Sequence, residues 1–243
     1  NDMMGYPGIK DPAKKEALHK LVKFMHAQGV KVLVYNGWGI STECPEWEQF
    51  GPELVNLPLK NSGYSTYWNS PVSLYPDLFV YRVAEHMREF NLDGIYMDST
   101  TGINYSLHPN GMRWTDEKGK VRGSYPVRAM RDFTKRLYKA LNGEVVQDGI
   151  YYNHHSPQAN VCVENFTNVR CPSEFAQFYE GEFDQAFIDY FLAKNGGIQY
   201  GYHAELTNKN WMSSMLKSLN ELNALAVPTG VSFKAISFAS YTP

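Results

Sequence analysis

The chain has 243 residues, of which 43% are hydrophobic, so it is long enough to bury one sizeable core. Its formal net charge of −2 gives no electrostatic reason to expect nucleic acid or an anionic membrane as a partner. No stretch of about 18 unbroken apolar residues predicts a membrane-spanning helix. We therefore expect a single domain over residues 1–243. Because the first residue is Asn1 rather than Met, we expect a processed product or a fragment of a longer protein.

Helical periodicity and short apolar runs alternate along the chain. The segment 41–74 is rich in Pro, Gly, Ser and aromatic residues and is predicted to be irregular, and 116–119 has the composition of a hairpin turn. In chain order the pattern predicts a helix at 12–28, a strand at 31–35, a helix at 76–90, a strand at 94–98, a helix at 126–141, strands at 149–153 and 175–179, a helix at 183–194, a strand at 197–202, a helix at 209–224 and a strand at 230–234.

The order of these elements predicts an α/β fold with a parallel sheet. Continuous apolar strands suit a barrel and a doubly wound sheet equally well. Long polar loops follow the C-terminal ends of the strands, whereas the helix-to-strand returns at 91–93 and 195–196 are short. This asymmetry favours a TIM-type (β/α) barrel whose active face is built from the loops after the strands. A glycine-rich phosphate-binding fingerprint, which a nucleotide-binding sheet would need, is absent.

Polar side chains stand at the predicted C-terminal ends of the strands. In a barrel these ends surround one basin, so residues far apart in sequence converge there. Two of the ends carry acids, one after 94–98 and one after 175–179. The candidates at these ends are Asn36, Trp38, Asp98, Asn153, His154, His155, Glu180, Glu182, Tyr202 and His203.

Two carboxylates across an aromatic basin are what cleavage of a glycosidic bond requires. Asp98 is the better anion, because the hydroxyls of Ser99 and Thr100 can donate hydrogen bonds to it. Glu180 or Glu182 is the better acid, because each raises the pKa of the other and aromatic neighbours desolvate both. Taken alone, an Asp after a strand is more often a helix cap or turn residue, and Glu-Gly-Glu is usually a solvated loop.

The aromatic residues make up 14% of the chain, and several stand in the predicted loops. Trp38 and Trp68 are candidate sugar platforms, with Asn69 and Tyr96 as further substrate contacts, although packing is the ordinary role of any one ring. The histidines at 154–155 do not have the spacing of metal ligands, and adjacent residues of an extended chain point in different directions, so contacts to sugar hydroxyls or hydrogen bonds within the loop are expected for both. Together with only three cysteines, this predicts no metal site and no cofactor.

Several stretches carry a resemblance to known proteins. They are KVLVYNGWGISTECPEWEQFG, YWNSP, FNLDGIYMDST, SYPVRAMRDFTKRLY and FYEGEF, within residues 30–185. These stretches resemble a largely uncharacterised family of bacterial glycoside-hydrolase-like (β/α) barrels, which is similar to the β-N-acetylgalactosaminidase family and distantly to the α-galactosidase superfamily. In that superfamily the nucleophile follows strand four and the acid/base follows strand six. If 31–35 is strand three, the resemblance implies these roles for Asp98 and Glu182.

The chain departs from these related families in three ways. The β-N-acetylgalactosaminidases use an adjacent Asp-Glu pair with the acetamido group of the substrate as nucleophile, whereas Ser99 follows Asp98 here. The family often carries Asp-Gly-Glu where this chain has Glu180-Gly-Glu182, which makes Glu182 the preferred acid. The strand count also implies an incomplete barrel, with strands three to eight present and the first two missing, and such a barrel would leave two sheet edges unpaired.

The sequence thus predicts a glycoside hydrolase that acts on an oligo- or polysaccharide through two carboxylates. We expect a retaining mechanism with Asp98 as nucleophile and Glu182 as general acid/base, which a carboxyl separation of about 5–5.5 Å would support, whereas about 6.5–9.5 Å would favour inversion. The first alternative is an inactive carbohydrate-binding barrel, and the second is a metal-dependent hydrolase that uses Asp98, His154 and His203. The substrate class alone favours a bacterial periplasmic or extracellular protein in polysaccharide degradation.

Overall fold

The computed structural model describes residues 6–57, 61–63, 66–98, 105–154, 165–171, 199–205 and 225–229; at 61–63, 66, 144, 171, 199–205 and 225–229 it describes the backbone only. The elements in chain order are α1 (Pro12–Ala27), β1 (Leu33–Gly37), β2 (Gly39–Ser41), α2 (Trp47–Leu54), β3 (Asn61–Gly63), β4 (Thr66–Trp68), α3 (Tyr75–Phe90), β5 (Gly94–Asp98), β6 (Arg113–Thr115), β7 (Val121–Gly123), α4 (Val127–Lys139), β8 (Ile150–His154), β9 (Val169–Cys171), β10 (Gln199–Glu205) and β11 (Leu225–Thr229).

A six-stranded parallel sheet is the centre of the fold, in the order β1-β5-β8-β9-β10-β11. The prediction of an α/β fold with a parallel sheet is therefore confirmed. No pairing of β11 with β1 occurs within the described part of the chain. The closed or incomplete barrel accordingly stays a prediction.

Local signals explain where the helices begin and end. Asp11 caps α1 by accepting a hydrogen bond from the N–H of Ala13 at 2.8 Å, and Pro12 occupies the first turn, where its missing N–H costs nothing. Helix α3 ends at Asn91, whose left-handed φ of 53° turns the chain towards β5. The turn at Asn91 thus produces the short helix-to-strand return at 91–93 that the sequence predicted.

The sheet has two contrasting faces. Its helix face carries Ile95, Met97 and Tyr151, which are at most 1% exposed and belong to the same core as Phe79 of α3 and Phe133 of α4. Its tyrosine face carries Tyr35, Tyr96 and Tyr152, which the strand register places side by side. The two sets alternate along each strand because successive side chains point to opposite faces.

The close approach of β5 to β8 depends on a glycine. A Cβ built at Gly94 would lie 2.0 Å from the carbonyl oxygen of Ile150, a distance no side chain tolerates. Gly94 therefore lets the two strands pair in the register that aligns Tyr96 with Tyr152.

The structure corrects the sequence-based elements in three places. The segment 41–74, predicted to be irregular, contains α2 and the strands β3 and β4, which form an antiparallel sheet with β2 in the order β2-β4-β3. Strands of three residues are too short to show a period of two in the sequence. Strand β9, which the sequence did not reveal, contains Arg170, and β11 contains Pro228; both residue types argue against a central strand.

Strand β9 also changes the strand count. It pairs with both β8 and β10 and so occupies the place in the sheet that was predicted for 175–179. The segment 175–179 lies outside the described residues, as do the predicted helices at 183–194 and 209–224 and the predicted strand at 230–234. If β1 is counted as strand three of a barrel, strand six is therefore β9, Val169–Cys171.

Candidate active site

The candidate site lies at the C-terminal ends of β1, β5 and β8. Asp98 is the last residue of β5, where its backbone pairs with Gly37 of β1, and His154 is the last residue of β8. Tyr35 and Tyr96 stand two residues before the ends of β1 and β5. All of these side chains belong to the tyrosine face, because residues two apart on a strand share a face.

Two neighbouring strands hold the carboxylate of Asp98. The hydroxyl of Tyr35 donates a hydrogen bond to its Oδ2 at 2.7 Å, and Nδ1 of His154 lies 3.0 Å from its Oδ1. The Asp98 side chain remains 25% exposed, whereas that of His154 is 10% exposed. Each oxygen of the carboxylate therefore has a partner on a different strand, and the group still reaches solvent.

The partners of Asp98 favour its charged form, since donated hydrogen bonds stabilise a carboxylate more than a carboxylic acid. An ionised Asp98 can only accept, so its contact with His154 requires the proton on Nδ1 of that ring. The hydroxyl oxygen of Tyr96 lies 2.5 Å from the same nitrogen. Nδ1 of His154 therefore contacts both Tyr96 and Asp98.

Three tyrosine rings line the face beside the carboxylate. The ring centroids of Tyr35 and Tyr96 are 5.6 Å apart, and those of Tyr96 and Tyr152 are 5.1 Å apart. Tyr35 is 50% exposed, which leaves part of its ring available to a ligand. An apolar ring surface next to a charged oxygen suits the mixed surface of a sugar.

Three predicted substrate contacts lie away from this face. Asn36 and Asn153 are fully buried and share the register row of Met97, which belongs to the helix face. Trp38 is 2% exposed, and its ring packs against those of Tyr75 and Phe133. The structure corrects their predicted position at the basin, because the prediction placed every residue near a strand end on one side and ignored the alternation of faces.

The remaining predicted residues are spread more widely. Trp68 is partly buried on β4, where it pairs with Gly39, and the neighbouring Asn69 is 1% exposed. The backbone at 202–203 lies in β10, paired with 226–227. His155, Glu180, Glu182, Ser99 and Thr100 lie outside the described residues. Of the predicted set, the structure thus brings together Asp98, Tyr96 and His154.

Tyr35 is a residue of the candidate site that the sequence pattern did not predict. A repeated pattern was available to find it: a tyrosine stands two residues before the last residue in each of the strands β1, β5 and β8. A tyrosine in that position points to the same side as the residue at the strand end. The signal was hidden because all three residues also fit an ordinary apolar strand.

Within the described ranges, no three His, Cys, Asp or Glu side chains form a group that could hold a metal ion. In the same ranges, no helix has the length and apolar character needed to cross a membrane.

Known structures show the same architecture. The Aspergillus fumigatus protein Ega3, crystallised with galactosamine, is 12% identical, with a TM-score of 0.57 over 86% of this chain and 78% of its own. The glycoside hydrolase domain of PelA from Pseudomonas aeruginosa is 9% identical, with a TM-score of 0.56 over 91% of both chains. The fold is one that glycoside hydrolases use. The α-amylase of Geobacillus thermoleovorans, complexed with acarbose, is 10% identical, with a TM-score of 0.57 over 93% of this chain and 55% of its own. No family model and no curated protein matches the chain.

Proposed function

We propose that the protein is a glycoside hydrolase that cleaves an oligo- or polysaccharide, with Asp98 as its nucleophile. The observation that carries this proposal is the pair of contacts from Tyr35 and His154 to the two oxygens of a partly exposed carboxylate. Such contacts keep a carboxylate charged and oriented, as attack on an anomeric carbon demands. The similar fold of a glycoside hydrolase domain and of an amylase supports the reaction class.

In the proposed reaction, an oxygen of Asp98 attacks the anomeric carbon while the bond to the leaving oxygen breaks. Glu182 gives its proton to that leaving oxygen, and a covalent glycosyl ester forms on Asp98. Glu182 then takes a proton from water, whose oxygen displaces Asp98 and releases the sugar with its original configuration. Tyr35 and His154 keep their hydrogens throughout and hold the carboxylate in position.

The proposed acid follows β9 along the chain. Glu182 stands in the connection from β9 to β10, on the C-terminal side of β9. In a (β/α) barrel the connections that leave the strands' C-terminal ends surround the active site. We therefore keep Glu182 as the acid and Glu180 as the neighbour that raises its pKa, and we propose His155, Tyr202 and His203 as further sugar contacts.

The test is a panel of chromogenic glycosides and polysaccharides, assayed with the wild-type chain, Asp98→Asn and the control Asp132→Asn. Asp132 is an exposed acid of α4 whose nearest cation, Arg131, is 3.7 Å away. We expect turnover of one substrate to fall at least about 1,000-fold in Asp98→Asn and to stay unchanged in the control. Turnover that survives in Asp98→Asn contradicts the proposal, and sugar binding without any wild-type turnover indicates a carbohydrate-binding protein.

A further inference from the structure

A hairpin stands in the connection that leaves the candidate site. The chain departs from β5 at Asp98, forms β6 and β7, and enters α4 at Val127. The hairpin therefore belongs to the loop that follows β5, the strand of the proposed nucleophile. In (β/α) barrels the loops after the strands surround the active site. Its base is joined to the rest of the loop by paired backbone hydrogen bonds between Ser106 and Ser124.

The turn of this hairpin is fixed by one carboxylate. Asp116 accepts hydrogen bonds from the N–H groups of Lys120 and Lys118 at 2.9 and 3.0 Å, and from Nε of Arg122 at 2.8 Å. The hydrogen bonds from the Lys120 N–H and from the Arg122 side chain lower the pKa of Asp116. The carboxylate of Asp116 therefore has its hydrogen-bond partners within the hairpin, and these bonds stabilise the conformation of the turn.

The base of the hairpin is equally constrained. The N–H of Gly123 donates to the hydroxyl of Tyr105 at 2.5 Å. A Cβ at position 123 would lie 2.2 Å from the carbonyl oxygen of Ser106, so this position requires glycine. A hairpin fixed at both its turn and its base binds a ligand without a large loss of conformational entropy.

This rigid hairpin presents an aromatic ring and an excess of cations to solvent. Trp114 is 57% exposed and lies directly opposite Arg122 in the register of the two strands. Between 113 and 122 the chain carries four cations, Arg113, Lys118, Lys120 and Arg122, against two acids, Asp116 and Glu117. The hairpin is therefore net positive in a chain whose formal charge is −2.

We propose that the β6–β7 hairpin binds an acidic polysaccharide, and that this polymer extends from the bond cleaved at Asp98. Trp114 would stack on a sugar ring, and Lys118 and Lys120 would pair with its carboxylate or sulfate groups. The proposal rests on the proposed function for the view that the ligand is a saccharide, and it adds the substrate class. A single-stranded nucleic acid would also meet a ring and cations, but a saccharide fits the proposed glycosidase function, and oligo(dT) is therefore one of the probes in the test.

The experiment measures binding of the full chain carrying Asp98→Asn, which we expect not to cut the polymer. The probes are polygalacturonate, dextran sulfate, neutral dextran and oligo(dT), each titrated at low and at physiological salt. In this background we compare Trp114→Ala and the double variant Lys118→Gln/Lys120→Gln. The matched controls are Tyr81→Ala and Lys20→Gln, whose side chains are exposed on α3 and α1. The double variant keeps the turn, since the backbone N–H groups of these lysines hold Asp116.

We expect tighter binding of at least one acidic polysaccharide than of neutral dextran, a roughly tenfold loss in each hairpin variant, and no change in the controls. The ratio between polygalacturonate and dextran sulfate distinguishes carboxylate from sulfate. Equal binding of neutral dextran, tighter binding of oligo(dT), or unchanged affinity in the hairpin variants would overturn the proposal. Hairpin-dependent binding in a protein without turnover would refute only the hydrolase, whereas turnover with hairpin-independent binding would refute only this inference.

Discussion

The two faces of the parallel sheet use the same strands for different purposes. On β5, Ile95 and Met97 are at most 1% exposed and pack under the helices, while Tyr96 and Asp98 are partly exposed on the other side. The first pair stabilises the fold by burial, and the second makes the hydrogen bonds of the candidate site. Alternation along one strand therefore separates stability from chemistry, and substitutions on the two faces should have separate consequences.

The largest effect is expected on the tyrosine face. Asp98→Asn should reduce kcat/KM at least about 1,000-fold, equivalent to about 4 kcal/mol, because the proposed nucleophile is lost. Its free energy of unfolding should change by less than about 1 kcal/mol, because the amide oxygen can still accept a hydrogen bond from Tyr35 or His154. Parallel kinetics and urea denaturation measure both quantities. A large loss of stability would show that Asp98 holds the fold together instead.

The helix face should show the reverse. Met97 is fully buried between the sheet and the helices, so Met97→Ala should lower the free energy of unfolding by about 2–5 kcal/mol through lost contacts and a cavity. The kcat of the folded fraction should stay within about threefold of wild type. The volume-conserving Met97→Leu is the control and should cost less than about 1.5 kcal/mol. A Met97→Ala variant that keeps its stability but loses kcat would contradict the separation of stability and activity between the two faces.

Buried His86 of α3 should make the free energy of unfolding depend on pH. Burial lowers the pKa of this α3 residue to about 4, so the folded protein keeps it neutral while the unfolded chain binds a proton below about 6.5. The free energy of unfolding should therefore fall as the pH drops from 6.5 to 4, by about 3 kcal/mol at most from this group. Urea denaturation at several pH values in this range should show that the free energy of unfolding depends less steeply on pH in His86→Gln than in the wild type. An unchanged dependence on pH would contradict the assignment to His86.

The smallest effect is expected from one hydroxyl. Tyr35→Phe removes the donor to Oδ2 of Asp98 and should lower kcat/KM about tenfold, with little change in stability. Tyr81→Phe is a matched control, because the Tyr81 hydroxyl donates to Glu85 at 2.6 Å on the outer surface of α3. Equal activity in the two variants would remove Tyr35 from the site.

Sequence patterns predicted the elements whose periodicity is long or whose turn chemistry is specific. Helix α3, strand β5 and the hairpin turn at 116–119 all stand close to their predicted positions. Asp98 was placed at a strand end because an acid after an apolar run is visible in one sequence. Strand β9 was missed because it is three residues long and contains the buried Arg170, whose environment only tertiary packing creates.

The composition of the site was less predictable than its location. Asn36, Trp38 and Asn153 stand near strand ends, as expected, but strand alternation and core packing direct them away from Asp98. The role of Tyr35 depends on the register between β1 and β5, since a slip of one residue would carry it to the other face. Register is a long-range property, and the sequence contained it only as the repeated tyrosine before each strand end.

The central claim is that Asp98 forms a covalent bond to the sugar. A 2-deoxy-2-fluoro glycoside with a good leaving group, chosen from the sugar that the substrate panel identifies, should inactivate the wild-type chain and leave a glycosyl adduct. Peptide mass mapping is predicted to place that adduct on Asp98, and Asp98→Asn should remain unlabelled. An adduct on another carboxylate, or turnover with inversion of configuration and no adduct, would contradict the account.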